Sequence, residues 1–258
     1  MPQERPAEFV QSLERGLAVI RAFSNRRSRM TLSEVAQEAN MSRAAARRFL
    51  ITLHALGYVS TDGKTFALRP TVLQLGYAYL SSFTVAEVAQ DHLEALAERL
   101  HESCSASVLD GEDVVYVARS STNRIMTIGL SVGARLPAYC TSMGRVLLAH
   151  LDPPELDRYL ETVELKARTD RTIIDKQRLR AELDVVRAQG WCLIDQELED
   201  GVRSVAAPIH DGSGRVVAAI NTSAHATRVT LDILRTQFLP ALRSCSQQID
   251  QDLAGRHG

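Results

Sequence analysis

Apolar residues recur at three- and four-residue spacing between Phe9 and Ser24, where Val10, Leu13, Leu17, Ile20 and Phe23 make one stripe, and the spacing predicts a first helix. A second begins at Thr31, a capping residue with Glu34 three positions on, and presents Val35, Ala36 and Ala39 as a small apolar face. Asn40 tolerates the left-handed backbone of a sharp stop, and Ser42 is a good N-cap for a third helix. On that helix Ala46, Phe49, Leu50, Leu53 and Leu56 are spaced to face a core, Arg43, Ala44, Arg47 and Arg48 lie on or flank the opposite face, and Gly57 ends it. Two short alternating runs follow, Tyr58 to Thr61 and Lys64 to Leu68, around Asp62-Gly63, a pair suited to a two-residue hairpin turn with both central residues at positive φ. Two helices, a tight turn and a hairpin predict a winged helix-turn-helix.

Pro70 then marks a start, and TVLQLGYAYLSS reads as one helix with Leu73, Leu75, Tyr77, Tyr79 and Leu80 spread around its circumference. Such a helix wants more than one neighbour, which suits an interdomain linker that also packs on a second subunit. A capping box from Thr84 to Glu87 opens a helix to about Leu100 on the stripe Val85, Val88, Leu93, Leu96 and Leu100. The period then changes. Cys104 to Leu109, Val114 to Arg119 and Arg124 to Leu130 suit strands, the first two joined around Asp110-Gly111. YCTSMGRVLLAH predicts a helix, Asp152-Pro153-Pro154-Glu155 opens another, and a third runs from Asp175 to Gln189 before Gly190. Strands are predicted at Trp191 to Glu197, Arg203 to His210 and Val216 to Ser223, the last two joined by Asp211-Gly212-Ser213-Gly214, and a final helix from about Leu231 to Asp250. This order predicts an α+β chain with one largely antiparallel sheet flanked by helices. Its expected divisions are a DNA-binding domain at 1–69, a linker helix at 70–83 and a second domain at 84–258.

Charge sharpens the picture. The chain's formal net charge is −1, but residues 1–80 hold 11 Lys and Arg against 6 Asp and Glu, a net of +5. The remainder carries 30 − 11 = 19 basic and 31 − 6 = 25 acidic residues, a net of −6. Attraction to a polyanion is therefore local to the front. Together with the winged helix this predicts that the Arg43 helix enters a DNA major groove, with Thr31, Ser42, Arg43, Ala44, Arg47 and Arg48 at the contact and Lys64 on a phosphate from the wing tip. Three arginines in the loop Asn25 to Arg29 are candidates for backbone contact or for plain solvation. No apolar run is long enough to cross a bilayer and the start lacks the apolar centre of a signal peptide, so a cytoplasmic protein is expected. Cys104, Cys140, Cys192 and Cys245 are scattered without metal-ligand spacing, and neither a metal nor another cofactor is expected. A rival reading is a thiol enzyme in which Cys140, just before a helix start, is the nucleophile and His150 or His210 the base. Another is a sensor that acts through a protein partner.

The segments SLERGLAVIRAF, SRAAARRFLITLHALGYV, LQLGYAYLSS, ESCSASVLDG and RLPAYCTSMGRVLLA resemble the IclR family of bacterial transcriptional regulators, in particular the branch controlling protocatechuate, 4-hydroxybenzoate and β-ketoadipate catabolism. The resemblance covers nearly the whole chain. It implies a GAF-like effector-binding domain, dimers pairing into tetramers, a palindromic operator and a small organic acid as signal, with no enzymatic activity. The effector site is expected between the sheet and the Thr141 helix start, where free amides favour a carboxylate. Thr141, Ser142 and Met143 would form its floor. By resemblance, Ile125, Ile128 and Leu136 would wall one side, with Ile194, Val202, Ser204, Asn221 and Ser223 on the other. The family often has cysteine where Ser204 stands, and small residues in place of Ser142 and Met143.

Overall fold

The computed structural model describes residues 6, 8–23, 27–82, 84–121 and 130–255, with backbone only at 78–82 and 84. The chain divides into two compact units, Met1–Ser81 and Ser82–Gly258.

The first unit is built on helices α1 (Gln11–Ala22), α2 (Leu32–Glu38) and α3 (Arg43–Ala55), with strands β1 (Met30–Thr31), β2 (Val59–Thr61) and β3 (Thr65–Leu68). The capping box forms in full: the Glu34 amide donates to Thr31 Oγ1 and the Thr31 amide to Glu34 Oε2 at 2.7 Å. Asn40 takes φ +48°, and Ser42 Oγ accepts the Ala45 amide at 3.2 Å, so the tight turn and second start are as read from sequence. Val19, Met30, Val35, Leu50, Leu53 and Val59 make the core.

Four details differ from expectation. The buried face of α1 is Val19 and Ala22, with Ile20 and Phe23 packed at its edge, whereas Val10, Leu13 and Leu17 of the predicted stripe are exposed. Leu56 is exposed as well, because it caps α3 as the chain turns toward Gly57. The wing turn is longer than two residues: only Gly63 has positive φ, and Asp62 Oδ1 accepts the Lys64 and Thr65 amides in an Asx-type loop. The strand β1, too short for any periodicity to register, pairs with β3 and completes a sheet of order β1-β3-β2.

A turn of 3₁₀ helix at Pro70–Val72 leads into α4 (Leu73–Ser82), where Leu73, Leu75 and Tyr77 are exposed. The side chains of Tyr79, Leu80 and Thr84 lie outside the described residues.

The second unit holds α5 (Thr84–Leu100), β4 (Ser103–Asp110), β5 (Asp113–Ser120), β6 (Arg135–Pro137), α6 (Ser142–Ala149), α7 (Pro153–Thr162), α8 (Lys176–Gln189), β7 (Cys192–Asp195), β8 (Val202–His210) and β9 (Val216–His225). It ends in α9 (Leu231–Ile233), a π turn at Leu234–Phe238 and α10 (Leu239–Gly255). The six strands form one antiparallel sheet in the order β6-β5-β4-β9-β8-β7. Alternation along the strands gives each face its own core. Cys104, Ala106, Val205, Ala207, Ala218 and Ile220 pack with α5 and α10, while Val114, Tyr116, Cys192, Ile194, Ala206 and Ala219 pack with α6, α7 and α8.

The expected strand at 124–130 has residues 124–129 outside the described set, and Leu130 belongs to no strand. Among the described residues the edge strand on this side is the short β6, which ends at Pro137. The expected strand at 191–197 keeps only Cys192–Asp195, since Gln196 turns at φ +64°. The last helix is interrupted because Pro240 offers no amide to the turn before it and crowds the carbonyl four residues back, a mismatch absorbed by the wider π turn.

Candidate nucleic-acid interface and buried polar site

The capped start of α3 sets the geometry of the first unit's polar surface. Ser42, Arg43, Ala44, Arg47 and Arg48 are all exposed, as are Thr31 and Lys64. Among the described residues no ion pair holds the side chains of Arg43, Arg47, Arg48 or Lys64, so four cations stand available on one unit. They are not equivalent. Arg48 lines a cleft of about 320 Å³ with Gln11, Ser12, Arg15, Phe49 and Thr52, which sets it toward α1. The Thr31 hydroxyl is taken by the Glu34 carboxylate at 2.8 Å, leaving that residue little to offer a base. Arg27 and Arg29 of the preceding loop pair with Glu38 and Asp62, whereas Asn25 and Arg26 lie outside the described residues. Hydrogen bonds from the Thr65 and Lys64 backbone, with Arg29 nearby, hold the Asp62 carboxyl well below the usual carboxylate range, which keeps the wing loop closed.

In the second unit, α6 is buried along its whole length, Arg145 included. Thr141 caps it: its hydroxyl accepts the Gly144 amide at 3.2 Å and donates to the Pro137 carbonyl at 3.1 Å. Thr141 is therefore already satisfied, and Met143 is sealed against the sheet with its Sδ 3.3 Å from the Ser107 hydroxyl. Ser142 differs. Its hydroxyl is buried at the first position of α6 and has no partner among the described residues.

The strand register aligns the remaining expected residues on the same face of the sheet. Ser204 stands opposite both Ser223 and Ile194, and Val202 lies two residues from Ser204 on that face. Asn221 Nδ2 donates to Ser223 Oγ at 3.0 Å, and Leu136 packs at the rim of this core. Ile125 and Ile128 lie outside the described residues. Sequence reasoning missed three buried members of the region. Ser105, opposite Asn221, was hidden in a strand judged only by its period. Arg145 and Glu197 were missed because a buried charge pair 52 positions apart leaves no local signal; their bidentate contacts measure 2.8 and 2.5 Å.

Cys140 sits in a 3₁₀ turn (Ala138–Cys140), and burial raises its thiol pKa to about 11. At neutral pH it is a protonated thiol, a poor nucleophile. His150 and His210 hold the Val146 carbonyl and the Asp250 carboxylate, and no bond joins either to Cys140 among the described residues. The thiol-enzyme constellation is not assembled.

Residues 12–63 match the IclR helix-turn-helix domain model, and residues 77–251 match the model for the C-terminal region of bacterial IclR transcriptional regulators. The chain is 50% identical over 249 residues to the Pca regulon regulatory protein of Pseudomonas putida, covering 96% of this chain and 86% of that one. A crystal structure of a transcriptional regulator from Rhodococcus sp. RHA1 superposes with a TM-score of 0.86 at 55% identity, covering 96% of this chain and 99% of that one. The inducer-binding domain of the Acinetobacter PobR transcription factor, a double mutant in complex with 3-hydroxybenzoic acid, superposes with a TM-score of 0.61 at 37% identity, over 64% of this chain and 96% of that one.

Proposed function

Because the chain belongs to the IclR family of bacterial transcriptional regulators, we propose that it controls genes of aromatic-acid catabolism, with a small organic acid bound in the second unit altering its grip on DNA. The observation that carries the ligand half of this reading is the Ser142 hydroxyl, without a partner among the described residues and buried at the start of α6 on the face that carries Ser204, Asn221 and Ser223. A buried hydroxyl without a partner costs about 1–3 kcal/mol, and a polar group of a bound acid would satisfy it. Protocatechuate, 4-hydroxybenzoate and β-ketoadipate are the favoured ligands.

The proposed divisions are 1–69 for DNA binding, 70–83 for the linker helix and 84–258 for the effector domain. Arg43, Arg47 and Arg48 would read or clamp the major groove with Ser42 and Ala44 close to the bases, and Lys64 would hold a phosphate. A cytoplasmic homodimer on a palindromic site, pairing further into tetramers, fits the exposed apolar side chains of Leu73, Leu75 and Tyr77 on α4. Sedimentation of a stable monomer at micromolar concentration would contradict it.

Calorimetric titration of the three acids tests the ligand site. One of them is expected to bind the parent and to bind Ser142→Val at least several-fold more weakly. Unchanged affinity in Ser142→Val would show the site to be misplaced, and binding of none would remove the effector class.

A further inference from the structure

The polar face of the sheet extends one strand beyond the residues considered so far. Met143 rests on Ser107, which anchors the first turn of α6 above the Ser107–Ala219 pair. Two residues along the same face stand Ser105 and Asn221, directly opposite each other, and two further on Ser103 and Ser223. The next strand carries the row outward: Ser105 is paired with Arg119 on β5. Side chains directly opposite in an antiparallel pair share a face. Ala106 and Ala118 pack toward α5, so the neighbouring Ser105–Arg119 pair belongs to the α6 face by register.

Arg119 is half-buried, and among the described residues its guanidinium has neither an ion pair nor a side-chain hydrogen bond. It also borders the open groove against α5, where its carbonyl accepts from Gln90 at 3.5 Å and where Glu94 and Glu98 stand, yet no ion pair joins it to either. A cation partly withdrawn from water without a counter-charge is costly, and burial lowers its pKa accordingly. The cost is offset when an anion arrives.

We propose that Arg119 is the cation that recognises the anionic group of the effector, a carboxylate ligand lying along the Ser105–Asn221 row with one end toward Arg119 and the other toward the Ser142 end of α6. This rests on the reading of the second unit as the effector domain. Strand spacing of about 4.8 Å and a two-residue rise of about 6.8 Å put the Ser107 and Arg119 backbones about 8 Å apart, a span comparable to the length of a single aromatic acid or a six-carbon chain.

The test uses the full-length protein and calorimetric titration with 4-hydroxybenzoate, protocatechuate and β-ketoadipate, each beside its neutral ester, the methyl ester for the first two and the dimethyl ester for the third. The parent is expected to favour an acid over its ester by about 10- to 100-fold, Arg119→Lys to keep part of that preference, and Arg119→Met to lose it while binding the ester as the parent does. Loss of ester and acid binding alike in Arg119→Met, with Arg119→Lys also failing to discriminate, would overturn the proposal as a folding effect. An unchanged acid preference in Arg119→Met would overturn it too, with the effector domain reading intact. Binding of no acid to the parent would remove both.

Discussion

Gly144 is where the candidate ligand site and the fold depend on the same missing atom. A Cβ added there would lie 2.2 Å from the Ala138 carbonyl oxygen, 2.4 Å from Ala138 Cα and 2.5 Å from Thr141 Oγ1. Two of these atoms are backbone, so no side-chain rotation relieves the contact; the 3₁₀ turn and the start of α6 have to separate by about 1 Å. On an exposed helix Gly→Ala stabilises by about 1 kcal/mol. Here the sign reverses. Overpacking in a close-fitting core costs about 1–3 kcal/mol. Separation also breaks the Gly144 amide bond to Thr141 Oγ1, an N-cap contribution of about 1 kcal/mol. Gly144→Ala is therefore expected to destabilise the second unit by about 2–4 kcal/mol, or about 4–16 °C in Tm for a unit of this size. The chain's single tryptophan, Trp191, lies in that unit and reports its unfolding by fluorescence in urea. Equal or higher stability would refute the reasoning, since it would mean that the turn and α6 are not packed this closely. A displaced Ser142 should weaken acid binding in the same variant.

Arg47→Ala is expected to weaken operator binding by about 1–3 kcal/mol and to relax specificity at one base position, whereas Lys64→Ala should weaken all sequences alike and lower the salt slope by about 1 in gel-shift titrations. Equal losses on operator and random DNA for both variants would erase the distinction between base reading and phosphate holding. Burial lowers the His150 pKa below 6.5, despite a hydrogen bond to the Val146 carbonyl that opposes the shift. Below about pH 6.5 the unfolded chain then takes up a proton that the folded one resists, so this residue's share of stability is present above that pH and lost as the pH falls. His150→Gln should flatten the fall in urea stability between about pH 6.5 and 5; an unchanged slope would assign it to other groups.

How much of this was legible follows from the range over which each signal acts. Thr31 with Glu34, Asn40, Ser42 and Gly57 speak through hydrogen bonds and backbone preferences within a few residues, and the helix-turn-helix formed as its sequence reads. The stripe of α1 was misjudged because periodicity marks an apolar face without saying what covers it: Leu13 and Leu17 are exposed in the single chain, while Val19 and Ala22 are covered by the other helices. Five of the sheet's six strands were legible by alternation, but neither the three-residue β6 nor the strand order, which brings Ser105 beside Asn221 and Arg119. In the candidate site, the polar residues of β8 and β9 could be named from resemblance, and the register of the two strands then places them on one face. Thr141 is expected on the floor of the effector site, but its cap and its reach toward a ligand compete for the same oxygen, a competition that only coordinates resolve.

The feature with the least trace in the sequence is also the one with the largest expected cost. Arg145 is 1% exposed at its side chain and Glu197 12%, so both charges are withdrawn from water and each depends on the other. Arg145 Nε also donates to the Tyr139 carbonyl at 2.8 Å, and Glu197 Oε2 accepts the Ile173 amide at 3.2 Å, tying α6 to the turn before it and to the segment ahead of α8. Glu197→Gln keeps the volume and removes the countercharge, which leaves a buried guanidinium uncompensated; a loss of about 3–5 kcal/mol is expected. The double variant Arg145→Met with Glu197→Leu removes both charges. It orphans one carbonyl and one amide, at about 1–3 kcal/mol each, partly offset by the desolvation no longer required. The double change should thus cost no more than the two single changes summed, with a favourable coupling of 0.5 kcal/mol or more, at the order expected of residues in contact. Urea unfolding followed through Trp191 for the parent, Arg145→Met, Glu197→Leu and the double variant gives that coupling directly. Strict additivity would mean that the two side chains contribute independently and that the pair does not hold α6 in place as a unit.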